Sequence, residues 1–276
     1  MKSRLPLALL ASAVIVALPA AAQDAVIVFP FEAIASRNAS FDRSAYTYPD
    51  NHDLAGQVNA NAGDVGLDGV VIDGETIWQS GLQFVSAATI VVDDATDTER
   101  GGHNVATGYG IGADLDGWVD EGVGSTTPDA DALVAAQGNF NLTSITAVRE
   151  NVGTVVYELS FETPTDTLLL FERGNSGDIL VAALDEAGNE VASILVLDGA
   201  NDGDGAVSAY TPTGIVVTTF VQDGFLNQGQ QLSSVGLRFP VAATTFRFTA
   251  LQEAEGDGAV RYNGPDLKVL ALASGD

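Results

Sequence analysis

The sequence has no cysteine, which excludes a disulfide framework, an iron–sulfur cluster, a thiolate zinc site and a cysteine nucleophile. Positive charge is scarce: 11 Lys+Arg stand against 37 Asp+Glu, for a formal net charge of −26. Nucleic acid and anionic lipid surfaces both recruit Lys and Arg, so neither is expected as a partner. Histidine occurs only as His52 and His103, both in polar stretches rich in Gly and Asn. Neither position suits a Ser/His/Asp triad, and the sequence contains no His-Glu-x-x-His motif and no Gly-x-Ser-x-Gly elbow. Aromatics make up 7%, with Trp78 and Trp118 the only tryptophans, which is little from which to build a sugar-cleaving cleft. Glycoside hydrolysis needs two carboxylates ~5 to ~9.5 Å apart. With so many acids, sequence spacing singles out no such pair. The chain is therefore expected to be non-enzymatic, a secreted glycoside hydrolase being the weakest alternative.

Hydrophobic residues make up 46%, which is enough for a packed core. Only one long apolar run exists, Leu5 to Leu18, behind Lys2 and Arg4 and ahead of Pro19 and Ala20-Ala21-Ala22. Charge, length and the small-residue site read as a signal peptide over 1–22, too short for a span that needs ~20 apolar residues. Residues 23–276 are then expected to form a single secreted domain with no membrane span. It would be extracellular or at the cell surface, with the periplasm as the other compartment. Lys268 is the one lysine left after cleavage near Ala22.

Period-2 alternation dominates the remainder. Val155, Tyr157, Leu159 and Phe161 alternate with polar residues in Thr154–Glu162, as do Val235, Leu237 and Phe239 in Ser234–Pro240, and Phe246 and Phe248 in Thr244–Leu251. The runs Ala25–Phe29, Thr167–Phe171, Asp178–Leu184, Val191–Leu197 and Leu267–Leu272 are apolar on both faces and read as central strands covered on both sides. Glu186-Ala187-Gly188-Asn189 marks a hairpin, and Ser36–Asp68 reads as long loop holding at most one strand. The pattern predicts an all-β fold: an antiparallel two-sheet sandwich, jelly-roll-like, of roughly ten to twelve strands. It also predicts one short helix. Thr127 would cap it, with Pro128 first, Asp129 and Asp131 in the first turn, and a stop after Gln137 at Gly138.

Two segments carry a family resemblance. One runs from Leu168 to Asn189 (LLLFERGNSGDILVAALDEAGN), the other from Tyr262 to Leu270 (YNGPDLKVL). A strand closing in a Glu-Arg-Gly turn, a second strand closing in Ala-Leu-Asp and Gly-Asn, and a final Asn-Gly-Pro-Asp strand resemble the second described type of the exosortase-dependent surface proteins. The short helix and Asn-rich bend over Asp131–Asn141 fit the same order, so the similarity spans roughly Val91 to Leu272. The chain departs from that pattern in the inserted Gly177, in Leu267 where an aromatic is usual, and in lacking the C-terminal Pro-Glu-Pro sorting segment. The resemblance implies a bacterial extracellular β protein tied to cell-surface and exopolysaccharide biology, structural or adhesive in type. The missing segment favours plain secretion over sorting. A carbohydrate-binding module is the alternative, and polysaccharide or other surface components are the expected partners.

Two loops offer the oxygens that calcium prefers. Asp114, Asp116, Asp120 and Glu121 surround Gly117, and Asp198, Asn201, Asp202 and Asp204 alternate with Gly. Neither matches a twelve-residue EF-hand loop, so calcium is the one cofactor expectation, set against plain solvated acidic turns. Trp118, Glu172, Arg173, Asn175 and Asp178 are the candidate ligand contacts. Glu172, Arg173 and Asp178 flank one turn, and their competing role is a loop-closing ion pair. Trp78, beside Ile77 in a strand-like run, is expected in the core.

Overall fold

Alternation of apolar and polar residues produces strands because successive side chains leave a strand on opposite faces. The structure, a computed structural model, describes residues 26–37, 65–93, 105–110, 129–148, 153–174, 177–197, 208–222, 225–252 and 265–273. In chain order these form β1 (Ile27–Phe29), β2 (Glu32–Arg37), β3 (Val65–Ile72), β4 (Glu75–Trp78), β5 (Leu82–Gln83), β6 (Ala87–Asp93), β7 (Val105–Gly110), α1 (Ala130–Gln137) and β8 (Ile145–Val148). They continue as β9 (Gly153–Arg173), β10 (Ile179–Leu184), β11 (Glu190–Val196), β12 (Thr211–Gln222), β13 (Phe225–Gln252) and β14 (Asp266–Leu272). The fold is the expected all-β sandwich: an 11-stranded and a 3-stranded sheet, with antiparallel pairing and one short α-helix among the described residues.

Two runs expected as separate strands on either side of Pro164 are one strand, β9, and the two flanking Pro240 are one strand, β13. β13 pairs with β9 from Leu232 to Gln252, and the register shifts twice, between Arg238↔Thr167 and Ala243↔Thr165 and again between Ala243↔Thr165 and Thr245↔Ser160. Pro240 lies within the first shift and Pro164 within the second, where a missing N–H is tolerated. The core-facing residues change parity there, from Val155, Tyr157, Leu159 and Phe161 to Leu168 and Leu170, and from Val235, Leu237 and Phe239 to Phe246, Phe248 and Ala250. Both halves of each strand thus face one core across a bend. Phe246 fills the bend, packed on Phe239 at 5.1 Å and on Phe161 at 6.0 Å between ring centroids.

The opposite face of the C-terminal half of β9 forms a second core. Leu169 and Phe171 join Leu270, Leu232 and Val217 there, and β2–β3–β4 covers them with Val65, Leu67 and Val70 together with Phe31 just ahead of β2. Phe31 meets Phe171 edge to face at 5.3 Å. This explains the two-sided apolar runs Thr167–Phe171 and Leu267–Leu272.

The same expectation fails for two other runs. β11 is the edge of the large sheet, with Val191 and Leu195 exposed, and β1 lies off the main path with Ile27 and Val28 exposed. Apolar composition does not separate a covered strand from an edge strand. Both ends of the expected Ser36–Asp68 loop are strand, in β2 and β3, and residues 38–64 lie outside the described ones. The hairpin at Glu186–Asn189 joins β10 to β11 as expected, with Gly188 at φ 79°. The helix ends at Gln137 with Gly138 as its C-cap, but its N-cap is Asp129, whose carboxylate accepts from Ala132 N at 2.9 Å. A carboxylate one turn from the exposed N–H groups also favours the helix dipole.

Candidate functional site

The last residues of β9 lie beside the first residues of β14. Leu267 is paired with Glu172, and Lys268 with Phe171. Strand alternation sends Arg173 to the same side as Leu169 and Phe171, where its side chain is fully buried. A buried guanidinium needs partners for its donors. It donates to the Asp266 carboxylate and to Gln230 Oε1. Gly174 N, at a residue with φ 104°, donates to Gln231 O at 3.1 Å and ends the strand in a conformation that favours glycine. Gly177 lies against Pro265, whose Cα would sit 2.5 Å from a Cβ at position 177. Glycine at position 177 is therefore what lets the chain pass so close to Pro265.

A second set of polar contacts lies one residue further along β14. β8 pairs with Asp266 and Leu267, and β5 with Ala271 and Leu272, on the same edge. The gap between them is filled by the Gln137 carboxamide at the end of α1. Its Nε2 donates to Leu267 O at 2.7 Å and to Thr146 Oγ1 at 2.9 Å, and its Oε1 accepts from Val269 N at 2.8 Å. One side chain thus replaces a strand neighbour. Lys268, 0% exposed, donates to Ala136 O at 2.8 Å and to Asn139 Oδ1 at 2.7 Å, placing positive charge at the helix C-terminus. Asn139 Oδ1 also accepts from Asn141 N, and Asn141 Oδ1 accepts from Thr143 N and Oγ1, so the Asn-rich bend folds on its own side chains.

The surroundings are strongly apolar. Tyr157 stacks on Phe248 at 5.3 Å with 6° between the rings. Burial pushes its hydroxyl far above the usual tyrosine range, and the nearby Asp266 carboxylate adds to the shift. Elsewhere, Asp185 in the β10–β11 hairpin accepts from Asn189 Nδ2, Asn189 N and Ala187 N. These bonds, led by the Asn189 side chain, hold its carboxyl below the usual range.

Of the sequence-derived contacts, Glu172, Arg173 and Asp178 are all buried around this turn, and Arg173 reaches across to Asp266. Trp118, Asn175 and both acidic loops (Asp114, Asp116, Asp120, Glu121; Asp198, Asn201, Asp202, Asp204) lie outside the described residues. No group of three or more metal-ligating side chains occurs among the described residues. Trp78 corrects an expectation: it is 58% exposed, because β4 pairs with β3 so that Ile77 opposes Val70 and turns inward. Gln137, Asn139, Gln230, Asp266 and Lys268 were not read from sequence as site residues. Lys268 carried a signal, being a lone cation in a run apolar on both faces, which must find acceptors when buried.

The chain matches no family model, no curated protein and no solved structure. No helix among the described residues is long and apolar enough to cross a membrane.

Proposed function

We propose that the chain is a secreted, non-enzymatic protein of the bacterial cell surface or extracellular matrix, structural or adhesive in type. It would resemble the exosortase-dependent surface proteins and have polysaccharide among its partners. The observation that carries this reading is the meeting of the two resemblance segments. The Glu-Arg-Gly turn and the Pro-Asp strand start lie side by side, joined by Arg173 to Asp266 and by the fit of Gly177 on Pro265. The Glu-Arg-Gly turn and the Pro-Asp strand start, both part of the pattern resembled, thus meet in one buried clamp whose Arg173 faces a partner within the chain. Calcium at the Asp114–Glu121 and Asp198–Asp204 loops belongs to the same proposal.

The test is fractionation of cells expressing the full chain. The reading expects a protein shortened at its N-terminus, in the medium or with the extracellular polysaccharide. An uncut chain in the cytosol overturns it. Thermal melting with and without EDTA tests calcium, because an ion bound only by the folded state raises the midpoint by mass action. An unchanged melt removes the metal.

A further inference from the structure

We infer that the outward face of β2–β3–β4 is a stacking site for an uncharged polysaccharide, with Trp78 as its platform. This rests on the adhesive reading above and gives it a site. β3 and β4 are joined by the tight turn Asp73-Gly74, with φ 52° and 83°, the conformation of a two-residue hairpin. The register sets Ile34, Gly69 and Trp78 in one row across the three strands, and Glu32, Val71 and Thr76 in the next. Val70, Ile77 and Ala33 in the alternate row pack into the second core, so these two rows face away from it.

Gly69 lets β4 and the indole come close. A Cβ there would lie 2.6 Å from Ile77 O and 3.2 Å from Trp78 Cε3, so the ring rests over bare backbone at its cross-strand neighbour. The adjacent Gln79 donates its amide to Leu67 O at 2.6 Å and holds the end of β4. A large, rigid aromatic is thus left 58% exposed in a chain with two tryptophans. Indole usually hides most of its surface.

The chemistry around the ring selects the occupant. The C–H face of a pyranose stacks on an aromatic plane, and the exposed Glu32 and Thr76 offer oxygens to its hydroxyls. Beyond Gly69, Asp68 accepts from Ser36 Oγ at 3.3 Å. Acidic groups on this face, in a chain of net charge −26, repel a polyanion, and they repel a second copy at low salt. An uncharged glycan meets neither penalty.

The experiment is native electrophoresis of the full chain through gels containing soluble β-glucan, dextran, galactomannan or alginate. Wild type, Trp78→Ala and Val191→Ala are compared, with circular dichroism as the folding control. The inference expects retardation by at least one neutral glycan and none by alginate. It expects about ten-fold or greater weakening in Trp78→Ala, as for removal of a central aromatic anchor, and wild-type behaviour in Val191→Ala, an exposed apolar residue on the edge of the other sheet. Retardation unaffected by Trp78→Ala overturns this site but leaves an adhesive role standing. Retardation only by alginate, or a self-association that Trp78→Ala abolishes, overturns the ligand class. No retardation by any glycan overturns the inference, and if the protein also fails to associate with extracellular polysaccharide in fractionation, the adhesive reading falls with it.

Discussion

Arg173 and Arg247 stand on paired strands and both reach carboxylates, yet their settings differ. Arg247 lies directly opposite Glu158 in the β9–β13 ladder, donates to it at 2.7 Å and lies 3.5 Å from Glu190, with all three side chains about a quarter exposed. Arg173 is fully buried on the same face of β9 as Leu169 and Phe171 and holds Asp266 from another strand. A solvated pair gains little, about 0.2–1 kcal/mol, because water competes for both ions. A buried pair contributes little net over an apolar replacement, but removing one partner strands the other and costs about 3–5 kcal/mol. The same pairing is decoration in one place and a constraint on strand order in the other.

The sharpest way to break this contrast is Arg173→Met, expected to lower unfolding free energy by about 3–5 kcal/mol in urea melts. Asp266→Leu in the same chain should recover much of the loss, since an apolar pair leaves no buried charge. Equal loss in the single and double variants would show that the charge is not what matters. Gln137→Leu should cost about 2–4 kcal/mol by leaving Val269 N and Leu267 O unpaired beside α1, and hydrogen exchange at Val269 should rise with it. Tyr157→Phe is expected to act in the opposite direction. The Tyr157 hydroxyl has no hydrogen-bond partner among the described residues, so its removal should stabilise the fold by about 1 kcal/mol. Arg247→Ala should shift stability by less than about 1 kcal/mol, and less again at high salt.

The smallest effect concerns pH. The folded Asp185 carboxyl titrates below its unfolded value, so its contribution is present above the unfolded pKa and fades as pH falls through the folded one. Relative to Asp185→Asn, the wild type should lose stability over that acid window. Parallel melting curves from neutral pH into the acid range would refute this.

Much of the scaffold was legible from local chemistry. The period-2 runs at Thr154–Glu162, Ser234–Pro240 and Thr244–Leu251 are strands, the Gly188 turn is a hairpin, and Gly138 ends the helix. Each depends on residues a few positions apart. The runs on either side of Pro164 and of Pro240 read locally as separate strands, but pairing between β9 and β13 carries both strands through the bend. Trp78 looked like core beside Ile77, and only the register of β4 against β3 decides which of the two turns outward. For the site, Glu172, Arg173 and Asp178 were singled out together, but their setting depended on β13 and β14. Asp266 and Gln230 come from 93 and 57 positions away, a separation that no local pattern encodes.

Sequence alone determined composition, charge and the strand-forming alternation, because each is a property of the chain itself or of neighbours along it. Tertiary structure decided which apolar strands are covered and which are edges, that Arg173 and Lys268 are buried, and that Trp78 faces water. The reason is that burial depends on what another part of the chain places on top of a residue.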